Sequence, residues 1–144
     1  MTPATYLPAF AAVFCLAFGG SALADPRGVW RTPGGKSHVE IAPCGEKLCG
    51  RIVWLKEPNN EKGLPKRDAE NSDESLRSRP ILGLPLLTGF PQEPDDGAWR
   101  GGEIYNPEDG KTYRSVLEPK GADLLEVNGC VFIFCKTQEW KRVK

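Results

Sequence analysis

Four cysteines in the second part of the chain are the residues whose types and spacing most clearly predict chemistry. They form two pairs of equal spacing, Cys44 with Cys49 and Cys130 with Cys135. In an exported domain an even number of cysteines favours disulfides, and local pairing would close two short loops worth about 2 kcal/mol each on the chain-entropy model. Crossed pairing between neighbouring segments and a four-thiolate zinc site are the alternatives. An oxidising compartment, and the lack of turn residues between Cys130 and Cys135, argue against zinc.

The remaining candidates for chemistry have simpler interpretations. His38, the sole histidine, lies on the polar face of a predicted strand without an evident nucleophile beside it. An acidic cluster could offer oxygen ligands to a cation, but it lacks the spacing and central glycine of a calcium loop and reads as a solvated loop. It comprises Asp68, Glu70, Asn71, Asp73 and Glu74. The polar residues Asn106, Asp109 and Lys111 fit a hairpin turn. We therefore predict no catalytic residue, no metal, no cofactor and no enzymatic activity.

The first 24 residues predict export. Residues 7–18 are apolar and uncharged, and the small-residue triplet at 22–24 resembles a signal-peptidase site. A spanning helix would need about 20 apolar residues, and Pro8 with the two glycines at 19 and 20 would disrupt it. An uncleaved anchor is the alternative; lipidation at Cys15 is disfavoured by the bulky Phe14 before it. We expect a signal peptide at 1–24, and a periplasmic or secreted mature protein without an integral membrane segment.

Residues 25–144 suit a single domain with one core. They hold all 19 basic and all 19 acidic residues, so their net charge is zero. Binding to nucleic acid by counterion release requires a basic excess, which is missing. Nucleic acid and anionic membranes are therefore predicted to be poor partners.

Short stretches of alternating polarity, separated by turn residues, predict an all-β fold. The stretches are residues 28–31, 37–42, 50–55, 98–105, 111–118, 123–128 and 136–143. The third is apolar on both faces and is predicted to be central. Residues 56–79 carry six charges of each sign and predict a long solvated loop after it. Seven or eight antiparallel strands at this spacing fit a sandwich or a barrel, and we favour an up-and-down barrel because closure removes exposed edges.

Residues 80–90 are abruptly apolar, but two prolines and the glycines forbid a regular helix there. We interpret the segment as a flap over the barrel mouth, or alternatively as a plug. Most aromatic side chains, including Phe132 and Phe134, are expected in the core, while some would line any residual cavity. The candidate ligand-binding residues are Trp54, Leu82, Leu84, Leu86, Leu87, Phe90 and Trp99.

Several motifs resemble those of known proteins. Gly28-Val29-Trp30 in the first strand, with Trp140-Lys141-Arg142 in the last, resembles the lipocalin arrangement, in which a tryptophan closes one barrel end beneath a basic residue of the final strand. Further motifs are Cys-Gly-x-x-Leu-Cys-Gly-Arg-Ile-Val-Trp-Leu at 44–55, Arg-Pro-x-Leu-Gly-Leu at 79–84, Gly-Phe at 89–90, Trp-x-Gly-Gly-x-Ile-Tyr-Asn-Pro-x-Asp-Gly-Lys-Thr-Tyr at 99–113 and Gly-Cys at 129–130. Together they resemble a bacterial family of exported domains of unknown function, over residues 30–143. The resemblance implies a small lipocalin-like barrel in the cell envelope and brings no catalytic or binding residues.

Two functions fit these predictions. The first is a barrel that binds a small hydrophobic or amphipathic ligand, with the candidate residues above at its pocket. The second is an envelope interaction or structural module without a ligand cavity, in which residues 56–79 or the flap contact a protein or cell-wall partner. An inner cavity, and the residues that line it, would distinguish them.

Overall fold

The computed structural model describes residues 24–144, so the predicted signal peptide, apart from Ala24, lies outside the described residues. The eight strands pair antiparallel in chain order, and the first pairs with the last, which closes the barrel. They are β1 (Gly28–Arg31), β2 (Ser37–Cys44), β3 (Lys47–Leu55), β4 (Pro85–Phe90), β5 (Trp99–Asn106), β6 (Lys111–Pro119), β7 (Leu124–Val131) and β8 (Phe134–Arg142). The predicted all-β, up-and-down barrel is confirmed, with eight strands. Within residues 24–144, no helix has the length and apolar character needed to cross a membrane.

Because the strands alternate in direction, the connections divide between two ends of the barrel. At one end, which we call the hairpin end, lie residues 32–36, 56–84, 107–110 and 132–133. At the other, the terminal end, lie residues 45–46, 91–98 and 120–123, with residues 24–27 and 143–144. The two predicted local disulfides, Cys44–Cys49 and Cys130–Cys135, are both present. The first is at the terminal end and the second at the hairpin end.

Large side chains and glycines complement each other inside the barrel. A Cβ on Gly102 would stand 2.5 Å from three ring atoms of Phe90, so the ring lies directly on the glycine. A Cβ on Gly50 would stand 2.9 Å from Cδ1 of Leu87 and 3.1 Å from Cγ1 of Val39. An eight-stranded barrel is just wide enough for side chains to fill, and here glycines on the wall make room for them.

Trp30 seals the terminal end as the lipocalin resemblance implies. Its indole is fully buried and donates from Nε1 to the carbonyl of Pro26 at 2.7 Å. The guanidinium of Arg142 lies 4.1 Å above the ring and donates to the carbonyls of Arg27 (2.8 Å) and Asp25 (2.9 Å). A cation on an indole face, held by two backbone acceptors, ties the last strand to the segment before the first.

The predicted flap is wrong, because most of that segment forms the barrel wall. Pro85 begins β4, where its missing N–H is tolerated at the first position of a strand. Leu87 pairs with Ile104 of β5, and Phe90 pairs with Leu48 of β3. The structure thus has a strand between the third and fourth predicted strands. The prolines and glycines that excluded a helix also kept this strand from being predicted.

The third predicted strand is not buried on both faces. Ile52 is buried, whereas Val53 and Trp54 are 45% and 44% exposed on the outside. The strand also begins earlier than predicted, since only residues 45 and 46 connect β2 to β3. A closed barrel has no central strand, so each strand turns one face to the core and one to solvent.

The loop at residues 56–84 is largely exposed, as its charge predicts, but it is not wholly solvated. Asp68 is fully buried and Asn71 nearly so. The carbonyl oxygen of Glu70 packs so closely on Gly110, in the β5–β6 turn, that a Cβ there would lie 1.9 Å from it. Backbone bonds from Gly83 to Ile52 (2.8 Å) and from Ile52 to Leu84 (3.0 Å) attach the end of the loop to β3.

Candidate functional site

The hairpin between β7 and β8 carries four apolar side chains into solvent. Val131 pairs with Phe134, and Phe132 and Ile133 form the two-residue turn. The exposed fractions of these four residues are 47% for Val131, 84% for Phe132, 88% for Ile133 and 76% for Phe134. Exposure of consecutive large apolar residues is unusual for a soluble surface and marks an interaction site. We call residues 131–134 the apolar tip.

The apolar tip is held in a fixed geometry. Cys130 and Cys135 are directly opposed in the ladder and joined by the disulfide immediately below the tip. Phe132 has a φ of 53°, a conformation that large side chains rarely adopt. The Arg114 guanidinium on the neighbouring β6 donates to the Phe132 carbonyl oxygen. Strain of this kind persists only where the surroundings enforce it, and it is concentrated at functional sites.

A cleft of about 500 Å³ runs beside the tip. Its lining residues are Gly101, Gly102, Glu103, Arg114, Ser115, Val116, Cys130, Phe132 and Cys135. They come from β5, β6 and the stapled hairpin, and they combine an apolar wall with one cation and one carboxylate. The volume lies within the range of small-molecule sites. Ser115 Oγ is buried and, within residues 24–144, is left without a hydrogen-bond partner.

A second cleft of about 340 Å³ lies at the hairpin end beside the β1–β2 turn. It is lined by backbone-rich residues 32–35 and by the charged side chains of Arg31, Glu139 and Lys141. It offers no apolar wall comparable to that beside the tip. Within residues 24–144, no group of three or more His, Cys, Asp or Glu residues is arranged to hold a metal ion.

Asp68 organises the electrostatics of the long loop. Its carboxylate accepts hydrogen bonds from Tyr105 Oη (2.6 Å), Asn71 Nδ2 (2.8 Å) and Arg79 Nε (2.8 Å). Burial by itself would raise the pKa of Asp68, but the three hydrogen bonds and the charge of Arg79 outweigh it and hold the pKa below its usual value. Burial, and then the bond to Asp68, raise the pKa of Tyr105. This cluster anchors the loop to β5.

The residues predicted to bind a ligand do not form one pocket. Trp54 lies near the hairpin end of β3, on the outside, where its ring stacks on His38 with centroids 4.4 Å apart. Trp99 begins β5 at the terminal end and is buried. Leu82 is half exposed on the long loop, whereas Leu84, Leu86, Leu87 and Phe90 are buried in the core. The structure therefore separates Trp54 from Trp99 and uses the buried residues for packing.

Sequence reasoning missed the apolar tip because it assigned Phe132 and Phe134 to the core. Both are exposed, so that expectation is wrong. One signal could have found them: two cysteines five positions apart, paired locally, force the intervening residues into a hairpin turn. A tight two-residue turn at a barrel end protrudes, so its two side chains do not reach the core.

Comparison with known proteins gives the fold and the family. A family model described as "Uncharacterized protein conserved in bacteria (DUF2147)" matches residues 28–142. The chain belongs to this family. A solved structure, described as "Protein HP1028 from the human pathogen Helicobacter pylori belongs to the lipocalin family", is similar with a TM-score of 0.70 and 25% sequence identity. The similarity covers 82% of each chain. A search among curated proteins found no significant match.

The resemblance inferred from the sequence motifs is therefore confirmed. The match to residues 28–142 spans all eight strands, and the H. pylori protein is described as a lipocalin, the arrangement that Trp30 and Arg142 resemble. The family description gives no ligand, so the function has to be inferred from the surface of the barrel.

Proposed function

We propose that this protein is a non-enzymatic binding protein of the bacterial cell envelope, which holds an amphipathic ligand in the cleft beside the apolar tip. The observation that carries the proposal is the pairing, in one cleft, of an apolar wall with a cation. Phe132, Val116 and the disulfide Cys130–Cys135 provide the wall. Arg114 lies on the same cleft, where a carboxylate or phosphate head group would meet its guanidinium.

The packing of the interior supports a site on the outside of the barrel. Phe90 lies on Gly102, and Leu87 and Val39 lie on Gly50, so these wall positions are already in contact with core side chains. A ligand in the interior would have to displace fully buried side chains, including Phe90 and Leu87. The outer cleft needs no such displacement.

The chemistry around the cleft supports binding rather than catalysis. Ser115 has a hydroxyl, but no base accepts its proton among the described residues. His38 lies on β2 and stacks on Trp54, away from β5 and β6. Nucleophilic catalysis needs a nucleophile and a base within hydrogen-bond reach.

The proposed envelope location rests on two features. The apolar segment at residues 7–18, followed by the small-residue triplet at 22–24, has the pattern of an export signal. The two disulfides fit an oxidising compartment. A single mature domain from residue 25 onward is part of the same proposal.

The test is an NMR titration of the mature protein with dodecanoate, below its critical micelle concentration. We expect the largest amide shifts at Gly101, Glu103 and Val116. Arg114→Gln should weaken binding by about tenfold or more, as expected for the loss of a charge-assisted hydrogen bond. Arg51→Gln is a matched control, because Arg51 is also an exposed arginine that donates to a loop carbonyl, that of Gly83.

Two results would contradict the proposal. Shifts centred on Trp54, Leu82 and Trp99 would favour the pocket predicted from the sequence. An unchanged spectrum at saturating dodecanoate, or equal weakening by Arg114→Gln and Arg51→Gln, would exclude the cleft as a site for an anionic amphiphile.

A further inference from the structure

We propose that the apolar tip inserts into the surface of an anionic lipid bilayer and anchors the barrel there by its hairpin end. The anchor would be peripheral, since only the tip enters the lipid. This inference goes beyond ligand binding and takes from the proposed function only the envelope location, where a bilayer is present. It rests on the shape, the charge and the rigidity of the hairpin.

The exposure of the apolar side chains at the tip suits immersion in lipid better than docking on a protein surface. Phe132, Ile133 and Phe134 are consecutive and all three are more than 75% exposed, so none of them is covered by the barrel. Docking into a protein groove requires one apolar face. Immersion in the boundary between head groups and acyl chains requires apolar side chains all around.

The charges next to the tip have the sign that an anionic bilayer attracts. From residue 127 to residue 138, Lys136 is the only charged residue. The neighbouring strand adds Arg114, whose guanidinium is bonded to the Phe132 carbonyl at the turn. Two cations therefore stand at head-group depth if the tip is inserted, and cations near such a surface strengthen binding. The zero net charge of the domain does not reveal this local excess.

Two acidic residues in the β5–β6 turn, at the same end of the barrel, are paired within the protein. In the β5–β6 turn, Glu108 forms a salt bridge with Lys36 at 3.2 Å, and Asp109 accepts a hydrogen bond from Tyr113. Both acids belong to residues 107–110, which connect different strands from those of the hairpin. Glu103 lies opposite Arg114 in the β5–β6 pair and lines the same cleft, so it offsets part of the positive charge of Arg114 and Lys136.

The hairpin is also preorganised for insertion. The disulfide Cys130–Cys135 fixes the two strands directly below the tip, so little conformational entropy remains to be lost when the tip enters lipid. Phe132 keeps a large apolar side chain at a φ of 53°, where glycine would be favoured for folding. Selection for the turn alone would not place a phenylalanine there.

The experiment measures co-sedimentation of the mature, oxidised protein with vesicles of phosphatidylethanolamine and phosphatidylglycerol, and with vesicles of phosphatidylcholine. The key variant is Phe132→Gly with Ile133→Ser, which removes the apolar tip but suits a turn with positive φ at its first position. We expect it to unfold in urea at the wild-type concentration or higher. We expect its partition onto the anionic vesicles to fall by about tenfold or more.

Three further variants test the specificity of the effect and the insertion of the tip. Leu64→Ser with Leu76→Ser removes two exposed leucines from the long loop and should leave binding unchanged. Lys136→Gln should weaken binding to the anionic vesicles by roughly fivefold and leave binding to phosphatidylcholine unchanged. A tryptophan introduced by Ile133→Trp should shift its emission to the blue and be quenched by brominated lipid.

Three outcomes would overturn the inference. The first is that the wild-type protein does not sediment with the anionic vesicles, and the second is that the Phe132→Gly, Ile133→Ser variant binds as well as the wild type. The third is a wild-type dimer in analytical ultracentrifugation that this variant abolishes, which would assign the tip to a second copy of the chain. Because vesicles are absent from the dodecanoate titration, failure of the anchor leaves the ligand proposal intact, and the reverse also holds.

Discussion

Replacing Asp68 by asparagine tests whether a buried carboxylate attaches the long loop to the barrel. The carboxylate accepts three hydrogen bonds while fully buried, from Tyr105, Asn71 and Arg79. A neutral amide keeps the volume but loses the attraction to Arg79, and it has only one acceptor oxygen for the three donors. Hydrogen bonds to charged groups contribute about 1.5–3 kcal/mol each. Breaking one side of a buried ion pair costs about 3–5 kcal/mol.

The expected loss is smaller than the sum of those figures. The Arg79 side chain is 28% exposed, so water can solvate its guanidinium after the change. We therefore expect Asp68→Asn to lower the free energy of unfolding by about 2 kcal/mol. Tyr105→Phe, which removes one donor, should cost about 1 kcal/mol. In the double variant the two losses should not add, because both remove the same hydrogen bond.

The pH dependence of this loss has a definite sign. The pKa of Asp68 is lowered in the folded state, so its stabilisation is complete above the unfolded pKa, about 4, and is lost as the pH falls through the folded pKa. The difference in unfolding free energy between the wild type and Asp68→Asn, measured in urea, should therefore be the same at about pH 7 and pH 5. It should shrink below about pH 4.

Two measurements could refute the role assigned to Asp68. One is a difference in unfolding free energy that is the same at low pH as at neutral pH. The other is limited proteolysis with trypsin, which should cut the loop faster in Asp68→Asn than in the wild type, since Lys62, Lys66 and Arg67 lie within it. Equal cutting rates, together with equal stability at neutral pH, would mean that the cluster does not hold the loop.

Two further predictions concern packing and the disulfides. Gly102→Ala should destabilise the barrel by about 1–3 kcal/mol, because its Cβ would overlap the buried ring of Phe90. Gly129→Ala is its control, because a Cβ there would have its nearest contact at an ordinary 3.5 Å. Equal losses of unfolding free energy in the two variants, measured in urea, would contradict the filled interior. Replacing both cysteines of either disulfide by serine should cost about 2 kcal/mol for each short loop; free thiols in the native, unreduced wild type would contradict the pairing.

Much of the fold could be predicted because it depends on local patterns. Val39 and Ile41 alternate with polar residues, and both are buried. The run around Asn106 and Gly110 predicted the β5–β6 turn, which spans residues 107–110. Strand β4 escaped prediction because Pro85 and Gly89 read as breaks, although a proline is tolerated at the first position of a strand.

The candidate site depends on contacts between distant residues and on the position of a turn in the barrel, which the sequence does not show directly. Asp68 and Tyr105 are 37 positions apart, so the charged run at residues 56–79 gave no indication of which carboxylate would be buried. The same limit applies to the apolar tip. Phe132 has the same apolar side chain as a phenylalanine of the core. It is exposed because its turn lies at a barrel end.

A second disulfide-bonded hairpin in the same protein can be compared with the apolar tip. The disulfide Cys44–Cys49 staples a second hairpin at the terminal end, with the same spacing between its cysteines. That turn uses Gly45, at a φ of 67°, and the exposed, charged Glu46. A stapled hairpin of this barrel therefore folds with a glycine at the positive φ and a charge beside it. Since folding does not require large apolar residues at such a turn, Phe132 and Ile133 are better explained by what the hairpin end contacts.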